Sequence, residues 1–139
     1  MNREFIEKKL SACLRYVERL EGIVLHSDEE ITNDFLKLHA LERLIQLIVD
    51  EIIDVNTHII RNSALETPDD FQGSFATLAS GGILPEQFAQ KIAPVVGPRN
   101  RLVHRYEEID ATGLIRMARD ERNDFRKYAK YITEFLEKK

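Results

Sequence analysis

Apolar residues recur at helical spacing along most of this chain. Ile6, Leu10, Cys13, Val17 and Leu20 follow at steps of four, three, four and three, a single stripe that predicts a helix from about Asn2 to Leu20. A second helix is predicted to start at Ser27. Ser27 and Glu30 make a capping box there, with Asp28 and Glu29 at the positive end of the helix dipole. Its stripe runs through Ile31, Phe35, Leu38, Leu41, Ile45, Ile48, Ile52, Val55 and Ile59, widened by Leu44, Leu47, Val49 and Ile53. A stripe that broad belongs to a helix packed on more than one side. It is either the central helix of a bundle or a bundle helix that also makes a dimer interface.

Chain breakers divide the second half of the sequence. Thr67-Pro68-Asp69-Asp70 has the order of a helix start, with a capping hydroxyl, proline at the first helical position and acids after it. Ser80-Gly81-Gly82 ends that third helix. Pro85-Glu86 starts a fourth, which Pro94 and Gly97-Pro98 interrupt or kink. The last helix follows Asp110 or Thr112, with apolar positions Leu114, Ala118, Phe125, Tyr128, Ile132 and Phe135 and one break at Glu121. No alternating strand pattern, hairpin dipeptide or internal repeat occurs. The reading is an all-α, single-domain bundle of four to five helices spanning residues 1–139.

Composition narrows the class. The 139 residues are 43% hydrophobic and 32% charged, which suits a globular chain and is too apolar for disorder. One cysteine, Cys13, excludes an intrachain disulfide and any cysteine-based zinc site. Met1 to Glu7 lacks the apolar run of a signal peptide, and no stretch is long and apolar enough for a transmembrane helix, so a cytoplasmic protein with no membrane partner is expected. The formal charge of -4 argues against coating nucleic acid by bulk charge, but leaves room for a local basic site.

Such a site is offered by Arg99-Asn100-Arg101-Leu102-Val103-His104-Arg105-Tyr106. Three arginines, an amide, a histidine and a tyrosine crowd into eight positions. If the segment is helical, Asn100 and His104 share a face, and Arg101 joins Arg105 on another. Arg99 lies five residues before His104, so the two converge only if the helix ends or bends between them. A histidine moves protons near neutral pH, and a guanidinium binds phosphate and stabilises charge on it. Together they suit phosphodiester cleavage without a metal. The plainer reading is an arginine-rich helix end with a capping histidine.

Arg99-Asn100, three residues, then His104-Arg105-Tyr106 resembles the signature of HEPN-domain proteins, in particular their HepT-like branch. The resemblance extends from about Asp34 to Phe135. It takes in Asp54-Val55-Asn56-Thr57-His58-Ile59-Ile60, Thr67-Pro68-Asp69-Asp70-Phe71, Phe75-Ala76-Thr77-Leu78-Ala79 and Gly82-Ile83-Leu84. Pro94 and Pro98 depart from it, standing where such proteins continue a helix towards the motif. The resemblance implies an all-α homodimer with both motifs in one cleft. It implies a metal-independent endoribonuclease toxin with no cofactor, acting on RNA and paired with a MntA-like minimal nucleotidyltransferase antitoxin. Arg99 would hold the scissile phosphate, His104 would act as general base or acid, and Asn100 would position a phosphate or the histidine. Tyr106 would be the hydroxyl that receives AMP.

Other residues carry weaker signals. Asp50, Asp54 and His58 fall within about 80° on one helical face. That pattern fits a metal site, a polar face, or a carboxylate that pairs with Arg99 or orients His104. No metal is assigned. His26 and His39 read as surface histidines, and Cys13 as an inert core thiol. The last helix carries Arg116, Arg119, Arg122, Arg126, Lys127 and Lys130 on an arc of about 140°. A solvated face is the usual meaning of such an arc. A basic track for RNA, in which Arg119 and Arg126 join Arg101 and Arg105, is the sharper one. The alternative to a ribonuclease is a non-catalytic HEPN module that binds a nucleotide or a nucleotidyltransferase partner. A structural helical dimer without a ligand ranks third.

Overall fold

The computed structural model describes residues 1–104 and 110–139. The first helix, α1 (Arg3–Ile23), is capped by the Asn2 side chain, which accepts from the Phe5 N–H. Every residue of its predicted stripe, Ile6, Leu10, Cys13, Val17 and Leu20, is buried. The helix predicted from Ser27 to Ile59 is divided in two. Ser27 caps as expected, but α2 (Asp28–Asn33) stops after one and a half turns, and α3 (Phe35–Arg61) starts anew. Asp34 makes the break. Its backbone is extended, and its carboxylate accepts from the Leu36 and Lys37 N–H groups. Helix α3 thereby gains a side-chain cap that Thr32-Asn33-Asp34 could not have used as helix interior. Phe35, in phase with the apolar stripe, lies 70% exposed.

Helix α3 is the central element. It packs on α1, α2, the two shorter helical segments Ser74–Ser80 and Val96–His104, and the last helix. Its broad apolar surface, from Leu41 through Ile60, is consumed inside one chain, so its width does not call for a second copy. The expected third helix starts later than Thr67. Residues 66–68 are irregular and 69–70 bend; 71–73 form a turn in which Asp70 accepts the Gly73 N–H at 2.7 Å, and α4 (Ser74–Ser80) begins after it. Gly82, at φ 73°, adopts the left-handed backbone that ends this unit.

Pro85 opens α5 (Glu86–Ile92) as read from the sequence. Pro94 then tightens Ala93–Val95 into a 3-10 turn, while Gly97 and Pro98 fall in the first turn of α6 (Val96–His104). Proline is tolerated there because the first-turn N–H groups have no helical partner anyway, so α6 is not broken. Asp110 caps α7 (Ala111–Glu137) through the Thr112 N–H. No strand occurs among the described residues, and no helix among them is long and apolar enough to cross a membrane.

The long helices form the frame. Asn2 meets His58, and Lys9 meets Asp54, so α1 runs antiparallel to α3. Arg3 reaches the Leu136 carbonyl, and Arg126 pairs with Glu21, so α1 is antiparallel to α7 as well. One buried polar network crosses this frame. Asn56 of α3 donates to the Ser74 hydroxyl at 2.9 Å and accepts from the Tyr128 hydroxyl of α7. Ser74 in turn donates to the Phe71 carbonyl at 2.6 Å. A buried amide is costly unless its groups are bonded, so this network fixes where the 66–73 segment turns against α3.

Candidate phosphodiester site on helix α6

Helix α6 places Arg99 against α3. The Arg99 Nε donates to Asp50 Oδ1 at 2.6 Å, and its Nη1 donates to the neighbouring Asn100 Oδ1 at 3.0 Å. The guanidinium carbon lies 5.7 Å from the centre of the Phe71 ring, within cation–π range. Asp50 and Arg99 are partly buried, with side chains 29% and 18% exposed. The guanidinium is therefore held on three sides, by a carboxylate, an amide and an aromatic face. Its Nη2 makes no hydrogen bond among the described residues. Of the readings open for Asp50, Asp54 and His58, the pairing of a carboxylate with Arg99 is the one found.

The other two members of that face serve α1. Asp54 accepts from Lys9 at 2.8 Å, and Glu51 lies 3.6 Å from the same ammonium. His58 Nε2 accepts from the Asn2 N–H at 3.0 Å, and its ring leans on Phe5. Among the described residues, no group of three His, Cys, Asp or Glu side chains could hold a metal ion.

His104 is the last residue of α6, and its side chain is exposed, as is that of Arg101. Helix α6 runs unbroken through both Arg99 and His104. At about 100° per residue, a five-residue step sets them about 140° apart around the axis. The condition for convergence within one chain, a helix end or bend between them, is not met. Asn100 and His104 do share a face. Tyr106 and Arg105 lie outside the described residues.

Beside Asn100 opens a cavity of about 540 Å³. Thr57, Ile60 and Arg61 of α3 form one wall, the segment from Thr67 to Gln72 another, and Val96 and Asn100 of α6 the floor. Phe71, 45% exposed, belongs both to this cavity and to the Arg99 contact. Sequence reasoning did not find this cavity, because its walls meet only through tertiary contacts, the Asn56–Ser74–Phe71 network on one side and the Arg99–Asp50 pair that holds α6 on α3 on the other.

Two residues of the expected basic track are engaged within the fold. Arg119 donates to the Val24 and His26 carbonyls and to Asp28, at 2.7 Å for the last. Arg126 pairs with Glu21 through both carboxylate oxygens. These pairs tie α7 to the far end of α1. Arg116, Arg122, Lys127 and Lys130 stay exposed. His26 pairs with Glu30, and His39 stacks on Phe35. Burial pushes the Cys13 thiol up to about 12, which keeps it protonated and inert.

A further charged cluster leaves no trace in the sequence beyond Glu121 as a gap in the stripe. Asp124 is 1% exposed and meets Lys91 of α5 at 3.1 Å. Burial first, and the neighbouring Asp124 second, push the Glu121 carboxyl up to about 7.

Comparison with known proteins supplies a frame for this geometry. The model of a family described as Ribonuclease HepT-like matches residues 13–132. A tRNA nuclease HepT of Aphanizomenon flos-aquae is 32% identical over 133 residues, covering 94% of this chain and 89% of the relative. An mRNA nuclease HepT of Shewanella oneidensis is 23% identical over 129 residues, covering 93% and 96%. Among solved structures, a tri-AMPylated Shewanella oneidensis HEPN toxin in complex with MNT antitoxin superposes with a TM-score of 0.85 at 24% identity, over 96% of this chain and 99% of the other.

Proposed function

The chain belongs to the HepT-like ribonuclease family, and from that premise we propose that it is an endoribonuclease toxin of a toxin–antitoxin pair. It cleaves RNA with Arg99 and His104, needs no metal, and is silenced by AMP placed on Tyr106 by a MntA-like nucleotidyltransferase antitoxin. The observation that carries the reading is the anchored Arg99. A guanidinium fixed by Asp50 through Nε and by Asn100 through Nη1 is preorganised for a phosphate.

The steps derive from those groups. The scissile phosphate lies on Arg99, which stabilises the charge that grows on its non-bridging oxygens. The adjacent ribose 2′-hydroxyl attacks phosphorus as its proton passes to a histidine. The bond from phosphorus to the 5′ oxygen breaks, and that oxygen takes a proton. The products are a 2′,3′-cyclic phosphate and a 5′-hydroxyl. The guanidinium supplies the positive charge for which other nucleases use a metal ion.

The angle between Arg99 and His104 on α6 supports a homodimer. One α6 directs Arg99 inward and His104 outward, so a two-fold pairing of α6 faces sets the His104 of one copy towards the Arg99 of the other. The exposed Val103 gives that pairing an apolar contact. Arg101 and Arg105 lie beside this cleft in sequence and contact the RNA backbone. Arg119 and Arg126, each paired with a carboxylate within the fold, are left out of the RNA contact.

The experiment is cleavage of tRNA and mRNA by the purified protein in excess chelator, with product ends identified by mass. Cleavage should persist and leave 2′,3′-cyclic phosphates, and light scattering should give a dimer. Activity that vanishes with EDTA and returns with magnesium would overturn the mechanism, and a monomer would overturn the composite cleft.

A further inference from the structure

We propose that the cavity beside Asn100 seats the nucleobase adjoining the scissile phosphate, and that it selects bases bearing an exocyclic amino group over uracil. The inference rests on the ribonuclease reading and extends it to substrate choice.

Size and position come first. At about 540 Å³ the cavity falls within the ~300–1,000 Å³ range of small-molecule sites, ample for one base and its ribose. Asn100 is in its lining and also holds Arg99. Phe71 is in its lining and lies 5.7 Å from the Arg99 guanidinium. A phosphate on Arg99 therefore leaves its attached nucleoside at the cavity mouth.

The chemistry of the walls fits a base and not a second phosphate. Charges in the lining are Arg61 against Asp69 and Asp70, an excess of one acid. That balance repels an anion. Carboxylates only accept hydrogen bonds, so they match the N–H donors of an amino group. Asp70 already takes the Gly73 N–H with Oδ1, which leaves Asp69 as the readier acceptor. Phe71 is 45% exposed, an uncommon state for a phenylalanine, and bases stack on such rings whatever their identity. Ring stacking thus holds any base, and Asp69 discriminates among them. Cytosine and adenine carry an exocyclic amino group on the edge where uracil presents O4, and guanine carries one at C2; a carboxylate accepts from each of these amino groups, whereas at uracil it faces O4 and finds only the single N3–H donor beside it. The walls are also preset, since Asn56 and Ser74 fix the turn at Phe71 before any ligand arrives.

The test uses dinucleotides methylated at the 2′ oxygen, which cannot be cleaved, added to the isotope-labelled full chain and followed by amide NMR. The dinucleotide CpC should shift Thr57, Gln72 and Asn100 and bind about tenfold more tightly than UpU. Thr57→Phe, which fills the cavity, should weaken CpC about tenfold. Asp69→Asn, at an exposed position, should bring CpC and UpU to equal affinity while the fold is kept. Shifts that bypass Thr57 and Gln72, or equal affinity of CpC and UpU for the unaltered protein, would overturn the proposal. Because binding is read without cleavage, these outcomes stand apart from the ribonuclease reading, which fails only if unmodified RNA is not cut.

Discussion

Replacing Asp50 separates holding Arg99 in place from holding RNA. The carboxylate accepts from Arg99 Nε at 2.6 Å, with both side chains partly buried. Fully exposed ion pairs contribute about 0–1 kcal/mol, and hydrogen bonds to charged groups about 1.5–3 kcal/mol. A pair of intermediate exposure falls between the two ranges, at the lower edge of the second, about 1.5 kcal/mol. Asp50→Ala releases Nε and leaves the guanidinium held only by Asn100 and the Phe71 ring. If that restraint is what aligns Arg99 on the transition state, 1.5 kcal/mol corresponds to roughly a tenfold fall in kcat. Substrate binding moves the other way. Removing a negative charge beside the guanidinium raises the local positive potential, so KM for RNA should stay level or fall, most visibly at low salt. Asp50→Asn keeps an acceptor oxygen and should lie between the two. Steady-state kinetics on a short fluorogenic RNA, with a melting curve for each variant, reads this directly. A KM that rises while kcat is unchanged, or a kcat insensitive to both substitutions, would refute the positioning role.

Protein co-expressed with its antitoxin should carry AMP on Tyr106 and be inactive, and Tyr106→Phe should escape that control; an adduct mapped to Tyr128 or Tyr131 would contradict this. Tyr128→Phe removes a buried hydroxyl from Asn56 and should cost about 1–3 kcal/mol, measured by denaturant unfolding. The raised Glu121 pKa opposes folding in a defined window. From about pH 4.5 to about 7 the unfolded chain loses this proton while the folded chain keeps it, so stability falls as pH rises and then levels off. Glu121→Gln should therefore match the parent protein near pH 4.5 and exceed it by about 1–2 kcal/mol at pH 8, a figure discounted for partial exposure; equal stability at both pH values would remove the cluster's role.

The stripes of α1 and α7 are legible in the sequence because each helix has one buried face and no competing signal. The break at Asp34 is hidden because Phe35 falls in phase with the stripe, although its ring is exposed. The reverse holds at Thr67-Pro68-Asp69-Asp70, where residues that suit a helix start instead lie in irregular chain ahead of α4, Asp70 being spent on the Gly73 N–H. Arg99 and Asn100 stand out by composition, but the partner of Arg99 lies 49 residues away in sequence, so spacing leaves three readings open for Asp50. The basic arc on α7 is plain from a helical wheel. The wheel does not show what stands opposite, and here Glu21 and Asp28 engage two of its arginines. Asn56 gives a usable signal, a lone amide within the buried arc of α3, yet its partners Ser74 and Tyr128 are set only by tertiary packing.

The central claim is that Arg99 and His104 together cut RNA. It is tested most directly by single-turnover cleavage of one tRNA in chelator by the unaltered protein, Arg99→Ala and His104→Ala, with melting temperatures alongside. Loss of one preorganised charge donor, or of a general acid or base, costs about 100-fold or more. Each variant should therefore fall at least that far while melting within a few degrees of the parent. Cleavage by either variant within a few-fold of the parent rate would contradict the account.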